Sequence, residues 1–93
     1  MRMIDRSTAF KRDYKRIKAT PRYKDIDSLL SDILELLLAD KALPEKNCDH
    51  TLSGEWNGYR ECHVKPNLLL IYKKPDHHTL RLARLGSHSE LFD

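Results

Sequence analysis

The sequence predicts an α+β domain: an N-terminal strand and a two-helix hairpin packed on a mainly antiparallel sheet, with a short C-terminal helix. Three observations predict it. Apolar residues recur at helical spacing between Thr8 and Ala39. Three strand-like runs follow, separated by turn signals at Pro66-Asn67 and at residues 75–78. The helices precede the strands instead of alternating with them, which places them together on one sheet face. Ninety-three residues suit one domain over 1–93.

Each element has a local reason. The opening MRMID alternates and forms a first short strand. Ser7 or Thr8 supplies an N-cap for a first helix on which Phe10, Tyr14 and Ile17 share a face. Pro21 stops that helix, because it lacks an N–H and biases Thr20 away from helical geometry. A second helix runs from about Tyr23 to Ala39. Its apolar surface, from Ile26 through Leu38, is wider than one stripe, so it packs on more than one side, against the first helix or a partner. The polar segment 44–59 is an excursion carrying at most a short strand. Tyr59–Lys65 alternates, Leu68–Lys73 is a dense apolar run suited to a central strand, and Thr79–Leu85 is the last strand, closed by a turn at Gly86. Ser87–Phe92 forms the terminal helix.

Hydrophobic residues make up 40% and charged residues 33% of the chain, which favours a folded domain over a disordered one. No apolar run reaches bilayer length and the N-terminus lacks a signal-type h-region, so a cytoplasmic location is expected and a membrane role is not. The net charge of +3 is mild, but its basic residues concentrate in 11–24. Lys11, Arg12, Lys15, Arg16 and Lys18 there suit either a solvated helix face or a phosphate-binding one. Cys48 and Cys62 are expected as free thiols. Cys62 and His63 point opposite ways on one strand and no CxxC or HExxH spacing occurs, so neither a metal nor a cofactor is expected.

Strand alternation places Tyr59, Glu61, His63 and Lys65 on one face and Arg60, Cys62 and Val64 on the other. The Cys62 and Val64 face meets the helices. The opposite face is then an open, polar surface with a carboxylate, an imidazole and an ammonium. Such a set suits RNA cleavage, because RNA carries its own nucleophile in the 2′-OH. One group must accept that proton, one must protonate the leaving 5′ oxygen, and a cation must meet the phosphorane. Imidazoles titrate near neutral pH and arginine offers a fork of donors. From spacing alone this is one reading among several, and a non-catalytic RNA- or DNA-binding module using the basic helix is another.

The stretches DHTLSGEWNGYRECHVKPNLLLIYK and RLARLGSHSELF resemble the YafQ branch of RelE-type bacterial toxins. The resemblance implies a ribosome-dependent mRNA endoribonuclease, the toxin of a type II toxin–antitoxin pair, cutting without a metal. It implies three partners: a cognate antitoxin, the ribosome through its 16S rRNA, and mRNA. Operator DNA would be met only through the antitoxin complex. His50, His63 and His88 match the family's active-site histidines, with His88 as general acid or the group nearest the scissile phosphate. His50 is its partner in proton transfer, and His63 positions the phosphate or shares that work. Glu61 matches a carboxylate, Arg84 an arginine that stabilises the phosphorane, and Phe92 an aromatic that packs on a base or shapes the site. Lys65 is assigned to substrate, and the five cations of the first helix to rRNA phosphates. Two positions depart from the family pattern. Asn67 stands where Asp is common, and Asn can hydrogen-bond but cannot transfer a proton as a carboxylate does. Leu68 stands where Trp is frequent. The alternative is therefore a weakened or inactive toxin homologue that keeps antitoxin binding. Arg84 also shares parity with Leu80 and Leu82, so a site role requires a twist or bulge before Gly86, or a place at the sheet's end.

Overall fold

The computed structural model describes residues 2–92. In chain order the elements are β1 (Met3–Arg6), α1 (Thr8–Lys18), α2 (Ile26–Leu38), β2 (His50–Thr51), β3 (Arg60–Lys65), β4 (Leu68–Asp76), β5 (Thr79–Gly86) and α3 (His88–Phe92). The five strands form one sheet in the order β1-β5-β4-β3-β2. All pairs are antiparallel except β1 with β5, which is parallel. This is the expected α+β architecture, with a mixed rather than wholly antiparallel sheet.

Ser7 caps α1: its Oγ accepts the Phe10 amide at 2.9 Å and donates to the Ala83 carbonyl at 2.7 Å, fixing the helix start to β5. Pro21 opens a short 3-10 turn, Pro21–Tyr23, and α2 begins only at Ile26, later than the spacing predicted. A proline fits the first position of such a turn, whose amide has no helical partner to lose. α1 and α2 bury Phe10, Ile17, Ile26, Leu30, Ile33 and Leu37 against Leu68, Leu70, Tyr72, Leu80, Leu82 and Leu85 of the sheet. Each fully buried aliphatic side chain contributes about 1.5–3 kcal/mol.

The opposite face is not the open, polar surface that alternation suggested. Leu69, Ile71, Ala83 and Leu91 form a second apolar cluster there, joined by half-buried Leu52, Trp56, Tyr59 and Phe92. The reason lies in β4: Leu68 to Tyr72 are all buried, so this central strand needs cover on both sides. The 44–59 excursion and α3 supply it.

Two bulges change which way side chains face. In β3 the register skips Val64, so Lys65 lies opposite Leu68 on the helix face instead of beside Glu61 and His63. Its ammonium sits 3.0 Å from Asp25 Oδ1 and donates to the Arg22 carbonyl at 3.3 Å. A one-residue offset moves every following side chain to the other face. In β5 the register skips Ala83, placing Leu82 opposite Tyr72 but Arg84 opposite Ile71. This is the bulge before Gly86 that Arg84 required. Further along, β4 continues past Lys73 to Asp76, and Pro75 falls where the pairing with β5 is irregular and no ladder donor is demanded.

Beyond Leu82, β1 no longer covers the edge of β5, and α1 takes its place. Asp13 Oδ2 accepts the Leu85 amide at 3.0 Å, and Arg16 donates to the Leu85 carbonyl at 3.4 Å. The two side chains do what a neighbouring strand's backbone would do at that edge.

Candidate active site

Cross-strand register arranges the sequence candidates in two rows on the second face. One row runs His50, Glu61, Ile71, Arg84 across β2, β3, β4 and β5. The next runs His63, Leu69, Gly86, and His88 begins α3 just past Gly86.

In the first row, His50 Nε2 lies 3.0 Å from Glu61 Oε2, and its Nδ1 lies 2.7 Å from the Cys48 carbonyl. A carbonyl only accepts, so Nδ1 carries a proton. The hydrogen bond to Glu61 then needs a second proton, held by an imidazolium or by the carboxyl. Glu61 is 6% exposed, and its Oε1 has no hydrogen-bond partner among the described residues. The neighbouring Asp49 pins this segment to the sheet, accepting from the Tyr72 hydroxyl at 2.6 Å and from Arg60 at 3.1 and 3.3 Å. Burial, then the bond to Asp49, pushes the Tyr72 phenol above its ordinary range. Burial also pushes the Cys62 thiol up to about 12, which leaves it inert; both cysteines are free.

The second row opens into a cleft of about 470 Å³. His63, Asn67 and His88 line it, with Leu69 from the sheet and with Arg22 and Tyr23 from the Pro21–Tyr23 turn. The His88 ring packs on Phe92, centroids 4.9 Å apart and planes at 40°. Leu91, buried, anchors α3. Ser87 and Glu90 form a reciprocal cap: Ser87 donates its amide to Glu90 Oε1 at 2.8 Å, and Ser87 Oγ accepts the Glu90 amide at 3.2 Å. Gly86 stays within β5, paired with Leu69, and is not itself a turn. A Cβ there would lie 3.1 Å from Glu90 Oε1 and 3.2 Å from Leu91 Cδ2, so a side chain would push α3's contacts back by a few tenths of an ångström. Leu68 is wholly buried on the helix face and offers no stacking surface to the cleft.

Arg84 does not line this cleft. Its guanidinium is held by Asp13, Nε at 2.6 Å from Oδ2 and a terminal nitrogen at 3.1 Å from Oδ1. Asp13 is 3% exposed. Burial disfavours its charge, but hydrogen bonds from Arg84, the Leu85 amide and Arg16, with the charge of Arg84, outweigh it and hold the carboxyl below the usual range. Among the basic residues of α1, Arg16 pairs with Asp13 at 3.2 Å and Glu90 at 3.3 Å, and Lys18 pairs with Asp27. Lys11, Arg12 and Lys15 are exposed and make no ion pair among the described residues.

The sequence missed Asp13, Glu90, Arg22 and Tyr23. Asp13 carried one signal, an acidic residue on the buried side of an otherwise basic helix, one turn from Phe10 and Ile17.

A small mixed sheet with paired helices on one face and the short α3 on the other is the architecture of mRNA interferase toxins of the YafQ kind. Residues 2–93 match the family described as the bacterial toxin of the type II toxin–antitoxin system, YafQ. The mRNA interferase toxin YafQ of Escherichia coli strain K12 is 40% identical over 92 residues, covering 97% of this chain and 99% of that protein. The crystal structure of YafQ from E. coli BL21(DE3) superposes with a TM-score of 0.85 at 37% identity, covering both chains completely. YafQ in the crystal structure of the E. coli DinJ–YafQ complex gives 0.84 at 38% identity, again over the whole of both chains. This chain belongs to the YafQ family of type II toxins.

Proposed function

We propose that the chain cuts mRNA at the ribosome by metal-independent acid–base catalysis, with the 2′-OH attacking the neighbouring phosphorus. The observation that carries this reading is the meeting of His63, Asn67 and His88 in one cleft beside the His50–Glu61 pair. His88 protonates the departing 5′ oxygen. His63 faces the phosphate and Asn67 hydrogen-bonds the ribose or a neighbouring imidazole. His50 takes up the 2′-OH proton at Nε2 as the proton that Nε2 shares with Glu61 passes to that carboxylate. Phe92 holds the His88 ring and shapes the wall on which a base packs. Lys11, Arg12 and Lys15 meet 16S rRNA phosphates. Arg84 acts through the strand it clamps, and Lys65 through the turn that carries Arg22.

A cognate antitoxin restrains the protein in the cytoplasm, as the crystallisation of E. coli YafQ with DinJ suggests. We assign it to the apolar groove between α2 and β1, lined by Ile4, Phe10, Tyr14, Leu34 and Leu38. Met3 and Ile4, 75% and 41% exposed, continue this groove along the free edge of β1. No helix among the described residues is long and apolar enough to cross a membrane.

Asn67 favours a second reading, a weakened toxin that retains antitoxin binding. Expression in bacteria with mapping of message 5′ ends separates the two. Growth arrest and ribosome-dependent cuts are expected from the sequence as it stands. Cutting that appears only in Asn67→Asp supports the weakened toxin, and none in either chain contradicts both.

A further inference from the structure

Beyond the cleft, the second face carries a cation with no acidic partner. Among the described residues, every other Lys or Arg of β3, β4 and β5 has a carboxylate: Arg60 has Asp49, Lys65 has Asp25, Lys74 has Asp40, Arg81 has Asp5 and Arg84 has Asp13. Lys73 of β4 has none. It lies directly opposite Arg81 in the β4–β5 register. The next pair, Tyr72 and Leu82, points to the helix face, so Lys73 and Arg81 share the second face. Like charges placed opposite each other destabilise a sheet. The surroundings hold the Lys73 head in place without neutralising it. Its Nζ lies 5.2 Å from the centre of the Tyr59 ring, which packs edge-on against Trp56, centroids 5.2 Å apart and planes at 84°. Gly58, at φ +92°, leaves that ammonium uncovered, since a Cβ there would lie 3.7 Å from Nζ. The patch is continuous with the cleft. Leu69, Ile71 and Lys73 follow one another along the second face of β4. About 14 Å of strand therefore separates Lys73 from Leu69 in the cleft.

We propose that Lys73, with Arg81 beside it, binds a backbone phosphate of the message flanking the cut linkage, so that the strand runs from the histidine cleft across β4 towards Tyr59. The proposal deepens the reading of the cleft as an RNA-cutting site and rests on it. Single-stranded RNA fits this surface because it carries a repeating negative charge along its backbone and bases that pack on aromatic rings. An ammonium held over a ring and free of carboxylates has its donors available to phosphate oxygens. A phosphate there also relieves the repulsion between Lys73 and Arg81.

The test uses the whole chain and has two arms. In the first, the chain binds a labelled 2′-O-methyl RNA oligonucleotide, which has no free 2′-OH and is not cut, over a range of salt concentrations. Lys73→Gln should lower the logarithmic salt slope by about 0.7, the value for one phosphate of a single strand. Lys73→Arg should keep the wild-type slope. In the second arm, programmed ribosomes carry messages in which one linkage at a time near the cut is a neutral methylphosphonate. At one flanking linkage the replacement should raise the wild-type KM about tenfold. In Lys73→Gln the same replacement should have no further effect, because the charge it removes has already lost its partner. An unchanged salt slope in Lys73→Gln overturns the assignment. So does a wild type that cuts message but shows no linkage whose effect disappears in Lys73→Gln; a reduced slope alongside that result moves the contact to rRNA. If the slope falls as expected and the wild type cuts no message, the functional reading fails and the RNA-phosphate site stands.

Discussion

The two faces of the sheet draw on the same strands and do opposite things with them. On the helix face, Leu70, Tyr72, Leu80 and Leu82 meet a helix pair and nearly everything presented is apolar. On the other face, Leu69 and Ile71 are as deeply buried, yet each has polar neighbours across the sheet: His63 beside Leu69, and Glu61 and Arg84 on either side of Ile71. The apolar residues of β4 form a floor, and the flanking strands add a polar rim. A dry floor keeps water from one side of these groups and strengthens the interactions among them. The first face supplies stability, and in the function proposed above the second gives part of its area to chemistry.

Substitutions that separate stability from cleavage break or sharpen this contrast. Leu70→Ala should be the most damaging to the fold, lowering stability by about 3 kcal/mol in urea denaturation, because the cavity lies where nothing can collapse into it. Leu91→Ala removes an apolar side chain from the second face. It should cost less in urea, about 1–2 kcal/mol, yet reduce message cutting at least tenfold, since His88 and Phe92 ride on the helix it anchors. Equal losses of stability in the two variants, with cutting retained in Leu91→Ala, would erase the distinction.

Asp13 joins the faces at the open edge of β5. Asp13→Ala leaves Arg84 and the Leu85 amide without their partner, and should cost about 3 kcal/mol. The carboxyl is held below its unfolded value, so its contribution is complete above the ordinary carboxylate range and is lost as pH falls through the lower, folded value. The acid limb of the stability profile should therefore be shallower in Asp13→Ala than in the wild type.

Much of the fold is legible in the sequence because the signals are local. The spacing of Phe10, Tyr14 and Ile17, the Ser7 cap and the Pro21 stop each act within a few residues. The parallel pairing of β1 with β5 joins residues more than seventy positions apart and leaves no local mark. The bulges at Val64 and Ala83 are invisible for the same reason, and they decide that Lys65 leaves the second face and that Arg84 falls opposite Ile71. In the candidate site, the three histidines are singled out by the family resemblance. Arg22, Asp13 and Glu90 are not, because each acquires its role from an element distant in the chain. The run Leu68 to Tyr72 did hold the clue to the covered second face: a strand without alternation has no side to leave bare.

Smaller effects test the rim. Asn67→Asp lies in an exposed turn and should change stability by less than about 0.5 kcal/mol, while raising the rate of message cutting. Lys11→Gln with Lys15→Gln should leave cutting at saturating ribosomes unchanged. The pair should also flatten the salt dependence of ribosome binding, by about 0.7 in logarithmic slope for each rRNA phosphate that the lysines no longer neutralise.

The central claim is that the second-face cleft cuts message, and His88→Ala tests it most directly. The ring is exposed, so the variant should unfold at the wild-type urea concentration. Its message cutting at ribosomes, read as new 5′ ends, should fall by a factor on the order of 10²–10⁴, the usual size of one acid–base contribution. A folded His88→Ala chain that cuts message at the wild-type rate would contradict the account.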